Sequence, residues 1–167
     1  MKMKTGIIAL ITVAIVLSAC SASSSAAKKE KAAADFEQTA TLIESGSYQF
    51  TVRSATASGG KTIQITSLYT LSAKEGTYEA HLPYYGRAYS GAYGGSGGVE
   101  FEGVPEDLTI TRKDNKNSIS VAFTIQSETE KYNVNLEVGA SGYGNLVINS
   151  QNRQTISYYG LTGALKD

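Results

Sequence analysis

Apolar and polar side chains alternate along most of the chain after residue 47. The clearest run places Ile119, Val121, Phe123 and Ile125 at every second position. Successive side chains of a strand point to opposite faces, so this period of two predicts strands with one buried and one solvated face. Similar runs begin at Tyr48, Ile63, Tyr69, Tyr78, Val99, Leu108, Tyr132, Leu146 and Ile156.

Turn-forming residues separate these runs, as in Glu75-Gly76 and in Asp114 to Asn117. Short strands with turns at intervals of roughly 8–12 residues are typical of all-β folds. Sequential hairpins favour a meander, and closing a meander removes exposed edges. We therefore predict a mainly β domain: an antiparallel up-and-down barrel or strongly curved sheet, of the lipocalin-like meander kind. A β-sandwich is the alternative.

Lys28 to Ser45 is the one segment with a helical pattern. Phe36, Ala40 and Ile43 recur at helical spacing and form a narrow apolar stripe. Gly46 follows where a helix often ends. We expect an N-terminal helix that packs along the edge of the β domain.

The first 20 residues have the composition of an export signal. Lys2 and Lys4 precede an apolar stretch, residues 6–17, that only Thr12 interrupts. This stretch is shorter than the ~20 residues that a membrane-spanning helix needs. A basic start followed by a short apolar stretch predicts a signal peptide.

The signal ends in Leu17-Ser18-Ala19-Cys20, which resembles the lipobox of bacterial lipoproteins. The resemblance implies that Cys20 is lipidated, with acyl chains such as palmitate, after cleavage behind Ala19. We therefore divide the chain into a signal peptide, 1–19, a lipidated flexible tether, 20–28, and one β-rich domain with its helix, 29–167. An ordinary secretory signal and an uncleaved anchor helix are the alternatives.

The residues after Cys20 bear on localisation. Ser21 occupies the position where Asp would imply retention in the inner membrane, and no acidic run follows it. By resemblance to other lipoproteins, this implies a lipid-anchored protein of the cell envelope, in the outer membrane and facing the periplasm. The membrane is then a partner through the N-terminal lipid.

Charge and reactive residues exclude several functions. The chain has 15 basic and 15 acidic residues, and loss of Lys2 and Lys4 leaves 13 against 15. This balance, without a basic stripe, argues against a nucleic-acid partner. One histidine, His81, and one cysteine make neither a metal site nor a nucleophilic triad. We expect no cofactor and no enzymatic activity. A carboxylate enzyme is a remote alternative, because Glu100 and Glu102 would share a solvated strand face.

Residues 84–98 are unusually rich in tyrosine and glycine, with four of the 11 tyrosines and six of the 17 glycines. Two interpretations remain open. The loop could line a mouth that binds a small ligand, with rings stacking on it and an arginine pairing with a carboxylate. It could instead fold across the barrel end as structure, which we favour. The residues concerned are Tyr84, Tyr85, Arg87, Tyr89, Tyr93 and Arg153.

Three segments carry a family resemblance. They are Leu82 to Tyr89 (LPYYGRAY) with the Gly98-Val99-Glu100-Phe101 strand, Tyr69-Thr70-Leu71, and Arg153 to Gly160. With these, the chain resembles the Bacteroidetes lipoproteins that carry domain of unknown function 4251. The resemblance covers the whole domain and implies an exported, anchored, β-rich protein. It assigns no chemistry.

We thus expect an envelope lipoprotein that acts as a non-enzymatic structural or protein-interaction module, with another envelope protein as a possible partner. The alternative is a β-barrel that binds a small apolar or glycan ligand at loop 84–98.

Overall fold

The computed structural model describes residues 19–89, 97–128 and 130–165, with side chains from residue 27 onward. The predicted signal peptide, apart from Ala19, therefore lies outside the described residues. The chain divides into two units between Ala34 and Asp35. All packing described below belongs to the second unit.

Helix α1 spans Ala19–Glu44. In its last part, the predicted stripe of Phe36, Ala40 and Ile43 is fully buried. Gly46 ends the helix in the left-handed region, with φ +70°, and its N–H donates to the Ile43 carbonyl. The helix begins earlier than we predicted: residues 20–28 are helical, where we expected a flexible spacer. Three alanines and one lysine in this segment favour a helix, and its four serines oppose a helix only weakly.

The remaining elements of the described ranges are ten strands and one 3₁₀ turn between β6 and β7, Asp114–Lys116. The strands are β1 (Tyr48–Ala57), β2 (Thr62–Gln64), β3 (Thr70–Lys74), β4 (Thr77–Leu82), β5 (Val99–Gly103), β6 (Glu106–Lys113), β7 (Ser118–Gln126), β8 (Lys131–Gly139), β9 (Tyr143–Ser150) and β10 (Ile156–Ala164). The mainly β fold with an N-terminal helix is confirmed.

The strands form one antiparallel sheet in the order β5-β4-β3-β1-β10-β9-β8-β7-β6, with β2 paired to β1. First and last strands pair along most of their length, so the meander curls around on itself. Between β5 and β6 the sheet has no ladder, although only two residues connect these strands. We predicted a closed barrel or a strongly curved sheet, and the fold is the strongly curved sheet. Its edge strands are β5 and β6.

Aromatic side chains close the interior near this gap. The ring of Tyr78, on β4, lies 4.4 Å from that of Phe123, on β7. Phe101, on β5, lies 6.3 Å from Phe123 and 5.7 Å from Tyr132, on β8. These strands are not hydrogen-bonded across the gap, so packing of rings takes the place of a ladder. The curled sheet consequently encloses a continuous core of buried side chains.

A glycine and a bulge allow the sheet to curl tightly. The β1–β10 register shifts between Val52 and Ser54, and a bulge of this kind bends a strand. Opposite it, a Cβ on Gly160 would collide with the Thr51 carbonyl and the Phe50 ring. Only glycine permits this close approach.

The apolar positions of the period-two pattern are buried on β7 and β8 but exposed on β6. Along β7 and β8, each inward-facing apolar residue from Ile119 to Val138 is buried. On β6 the same pattern leaves Leu108 and Ile110 exposed by 43% and 38%. Among the described strands, β6 pairs only with β7, and none of them covers its other side.

Candidate functional site

The tyrosine-rich segment crosses one end of the curled sheet as an ordered strap, which we define as residues 83–89. It pairs with the connection between β9 and β10 through an antiparallel bridge of Ala88 with Arg153. The Tyr89 N–H donates to the Asn152 carbonyl at 2.7 Å, and the Gln154 N–H to the Arg87 carbonyl at 3.0 Å. The described part of the loop is therefore held by backbone hydrogen bonds.

Arg153 holds three parts of this end together. Its Nε donates to the Glu130 carboxylate, and its Nη1 donates to the Gly98 carbonyl at 2.7 Å. The guanidinium also lies over the Tyr84 ring, 5.2 Å from the centroid. The two charged side chains are exposed by only 16% for Arg153 and 4% for Glu130. One arginine thus joins the strap, the start of β5 and the β7–β8 connection.

Glu130 has hydrogen-bond donors on both carboxylate oxygens. Besides Arg153, the Tyr132 hydroxyl donates to Oε1 at 2.8 Å and the Ser150 hydroxyl to Oε2 at 2.6 Å. Burial, and then the hydrogen bond to Glu130, raise the pKa of Tyr132. A buried carboxylate is tolerated when it is paired and hydrogen-bonded in this way.

Two tyrosine hydroxyls stabilise the strap by donating hydrogen bonds to backbone carbonyls. Tyr84 can donate to the Arg87 or the Gln154 carbonyl, both at 2.9 Å, and burial raises its pKa. Tyr158, on β10, donates to the Pro83 carbonyl at 2.8 Å, and burial likewise raises its pKa. Neither hydroxyl is available as a proton donor to a ligand without breaking the strap.

Two glycines are required for this arrangement. A Cβ on Gly98 would lie 2.7 Å from the Leu82 carbonyl oxygen, and one on Gly86 would overlap the Tyr84 hydroxyl. Such distances are below van der Waals contact, so any larger residue would displace its neighbour. Part of the glycine content of the loop is thus explained by packing.

The structure brings together only some of the residues that the sequence singled out. Tyr84 and Arg153 are in contact, and Arg87 contributes backbone atoms while its side chain is exposed. Tyr85 and Tyr89 are exposed by 44% and 68%. Two predicted residues cannot be compared: Tyr93 lies outside the described residues, and so does the side chain of Cys20.

Glu130, Tyr132 and Ser150 were not predicted as part of this site. Tyr132 was assigned correctly to the core, but an acid beside Lys131 in a polar connection that also holds Glu128 looks like a solvated charge. The sequence therefore held no local signal for Glu130, since its partner Arg153 is distant along the chain.

A cleft of about 670 Å³ lies between edge strand β5 and the β7–β8 connection, next to the strap. Gly98, Arg153 and Tyr132 reach it, but carboxylates dominate its rim, namely Glu79, Glu100, Glu102 and Glu128. Glu100 and Glu102 lie on the outward face of β5, as expected, and Glu100 pairs with His81 at 3.1 Å. Within the described ranges, no group of three potential ligand residues could hold a metal ion. Nor does any helix described here combine the length and hydropathy needed to cross a bilayer.

The comparison with known families decides the classification. The model of a domain of unknown function, DUF4251, matches residues 30–162. The chain belongs to the DUF4251 family. This confirms the family resemblance carried by the strap and the segments around it, while the Bacteroidetes lipoprotein assignment stays a prediction.

A solved member of the same family has a similar fold. A crystal structure of a DUF4251 family protein from Bacteroides eggerthii DSM 20697 matches with a TM-score of 0.61 and 17% identity. The match covers 79% of this chain and 89% of that one. No curated protein matches significantly. The comparisons thus establish the family and the fold of this domain, and the family description assigns no activity.

Proposed function

We propose that this protein is a lipoprotein anchored through Cys20 to the cell envelope, and that its DUF4251 domain is a non-enzymatic structural or protein-interaction module. The observation that supports a non-enzymatic module is that side chains fill the interior of the curled sheet. Tyr78, Phe101, Phe123 and Tyr132 meet where an open sheet would otherwise admit a ligand. A molecule bound inside would have to displace these rings.

The strap supports the same conclusion. The most protected polar groups at this end, Arg153 and Glu130, are saturated by each other and by neighbouring hydroxyls and carbonyls. Catalytic groups are normally directed at a space where a reacting atom can lie. Here the buried charges are directed at the protein itself.

The anchor half of the proposal follows from residues 1–20. A basic start, a short apolar stretch and Cys20 after Leu17-Ser18-Ala19 are the pattern of a lipoprotein signal. Several acyl chains, each contributing ~0.8 kcal/mol per buried CH₂, give a lasting anchor. Because Ser21, and not Asp, follows Cys20, we propose that the protein lies in the outer membrane and faces the periplasm.

Metabolic labelling with radioactive palmitate tests the anchor. We expect label in the wild-type chain and none in Cys20→Ser. A double variant, Cys20→Ser with Ser23→Cys, keeps one cysteine but moves it away from the proposed cleavage site, and should also stay unlabelled. Label in either variant, or no label in the wild type, would contradict the anchor.

Crosslinking in intact envelopes tests the interaction role. We expect the wild-type chain to give discrete crosslinked species that are absent from Cys20→Ser, which would be mislocalised. A wild-type chain that crosslinks to nothing in its own envelope would argue against an interaction module.

The cleft beside β5 supports a second candidate, the binding of a small ligand. Its volume lies within the ~300–1,000 Å³ typical of ligand sites. The glutamates at its rim favour a cationic ligand over the apolar or glycan ligand that the tyrosines suggested.

Calorimetric titration with spermidine and with a short lysine peptide tests this candidate. We expect binding that Glu100→Gln and Glu102→Gln weaken, while Glu30→Gln, an exposed change outside the cleft, leaves it intact. Equal loss in all three variants would reveal unspecific attraction, and absence of heat would exclude this ligand class.

A further inference from the structure

Strand β6 is an edge strand whose sequence is complementary to itself. It reads Glu-Asp-Leu-Thr-Ile-Thr-Arg-Lys from residue 106 to residue 113. Acidic residues stand at its beginning, β-branched and apolar residues in its middle and basic residues at its end. An antiparallel copy would place the acidic beginning of each strand beside the basic end of the other.

The exposure of β6 differs from that of its neighbour. Ile110 lies opposite Val121, and residues directly opposite in an antiparallel pair share a face, so Ile110 faces the inner side of the sheet. Val121 is completely buried, whereas Ile110 and Leu108 are 38% and 43% exposed. Apolar side chains at an unpaired strand edge are a template for pairing with another chain.

The part of the β6 edge that can pair with a second strand begins after a β-bulge. The β6–β7 register shifts between Glu106 and Thr109, and Asp107 has a φ of +54°. From Thr109 to Lys113 the ladder to β7 is continuous. The straight segment therefore runs from Thr109 to Lys113, and a twofold axis through a pair of strands at Ile110 would lie within it.

We propose that two copies of this chain associate through antiparallel pairing of β6 with β6, centred on Ile110. In this register Ile110 faces Ile110 of the second copy and Thr109 faces Thr111. Lys113 extends beyond the straight segment of the second copy to its bulge, where Asp107 lies. The paired strands would cover the exposed apolar residues and satisfy the edge backbone groups. This inference is independent of the proposed envelope function.

Neighbouring charges are compatible with this register. Arg112 is held within the chain by Glu37 and Asp114, so its aliphatic stem is what Leu108 of the second copy would contact. Lys113 has Glu137 at 3.4 Å on its own sheet and would gain Asp107 of the second copy. Glu106 is paired with Lys131 at 2.7 Å. The proposed contact thus adds a carboxylate beside Lys113. It also places Glu106 opposite Asp114 of the second copy, and each of these carboxylates is already paired within its own chain, with Lys131 and Arg112.

Cysteine crosslinking of the full chain in its own envelope tests this arrangement. Ile110→Cys would face its own copy at a Cα separation of roughly 4.5–5.5 Å, which suits a disulfide. We expect a covalent dimer on a non-reducing gel. Leu68→Cys, at a residue that is 73% exposed but distant in the sheet order, is the control and should remain monomeric. Both variants retain Cys20, so any disulfide through Cys20 would appear in both.

A charge exchange tests the register. Lys113→Asp would place like charges opposite each other at two symmetric positions and should weaken the dimer at least about tenfold. Combining it with Asp107→Lys restores opposite charges and should restore the dimer. Sedimentation of the full chain in detergent measures this, and thermal melting verifies folding. Ile110→Cys crosslinking no better than Leu68→Cys, or a double variant as weak as the single, would overturn the proposal.

Discussion

Two arginines form nearly the same contacts in very different surroundings. Arg153 lies over the Tyr84 ring and pairs with Glu130, while Arg112 lies over the Phe36 ring and pairs with Glu37. Both guanidinium carbons are 5.2 Å from the ring centroid. The first pair is exposed by 16% and 4%, and the second by 31% and 62%.

The difference shows that the contribution of an ion pair to stability depends on how deeply the pair is buried, and not on its presence alone. Water can replace Arg112 at the carboxylates of Glu37 and Asp114, because both are well exposed. Water cannot readily reach Glu130, so removal of Arg153 would leave a buried charge without its partner. The strap that carries the family resemblance should therefore depend on Arg153, while the helix should hardly depend on Arg112.

The largest expected effect is that of Arg153→Ala. We expect it to lower the free energy of unfolding by about 3–5 kcal/mol, the usual cost of breaking a buried pair from one side. Chemical denaturation followed by circular dichroism measures this change. Arg112→Ala, measured in parallel, is the matched control, and equal losses in the two variants would break the comparison.

A double-mutant cycle should show that the loss comes from the stranded carboxylate. In a Glu130→Gln background, Arg153→Ala should cost about 2 kcal/mol less than in the wild type, because no buried charge is left behind. The same cycle with Glu37→Gln and Arg112→Ala should give no resolvable coupling. Additive losses at Arg153 and Glu130 would mean that the two residues contribute separately.

Gly86→Ala should have a smaller effect on the strap. The added methyl group would displace the Tyr84 hydroxyl and with it the ring under Arg153, at a cost of about 1–2 kcal/mol. Gly59→Ala is the control, since a Cβ there meets no atom within 4 Å. Denaturation midpoints of both variants check this, and a Gly86→Ala protein as stable as Gly59→Ala would refute the steric argument.

The smallest effect is that of Arg112→Ala, and it should depend on salt. Exposed ion pairs are screened, so the difference from wild type should vanish at about 1 M salt. The loss caused by Arg153→Ala should persist under the same conditions. Melting curves at low and high salt measure both, and a loss at Arg112 that persists in salt would show that packing on Phe36 matters more than charge.

Much of the fold was predictable, because burial on one face imposes a period of two. That pattern identified β7 and β8 and the inward orientation of Phe123 and Tyr132. It also marked Leu108 and Ile110 as inward-facing, but could not tell that they are exposed. Their burial depends on whether another strand lies beside β6, and a local pattern carries no information about that neighbour.

The site was only partly predictable. Tyr84 and Arg153 were singled out, and Gly86 and Gly98 lie within the segment recognised as rich in glycine. The role of Glu130 depends on a contact between distant parts of the chain and could not be seen in its own surroundings. Residues 20–28 were expected to form a flexible tether, but a helix runs through them, because serine opposes a helix only weakly.

Amide hydrogen exchange of the strap tests the central claim most directly, namely that Arg153 holds the tyrosine-rich segment as ordered structure. The account predicts slow exchange at the Tyr89 and Gln154 amides in the wild type. In Arg153→Ala these two amides should exchange fast under conditions where those of β8 remain protected. Fast exchange at both amides in the wild type, or unchanged protection in the variant, would contradict the claim.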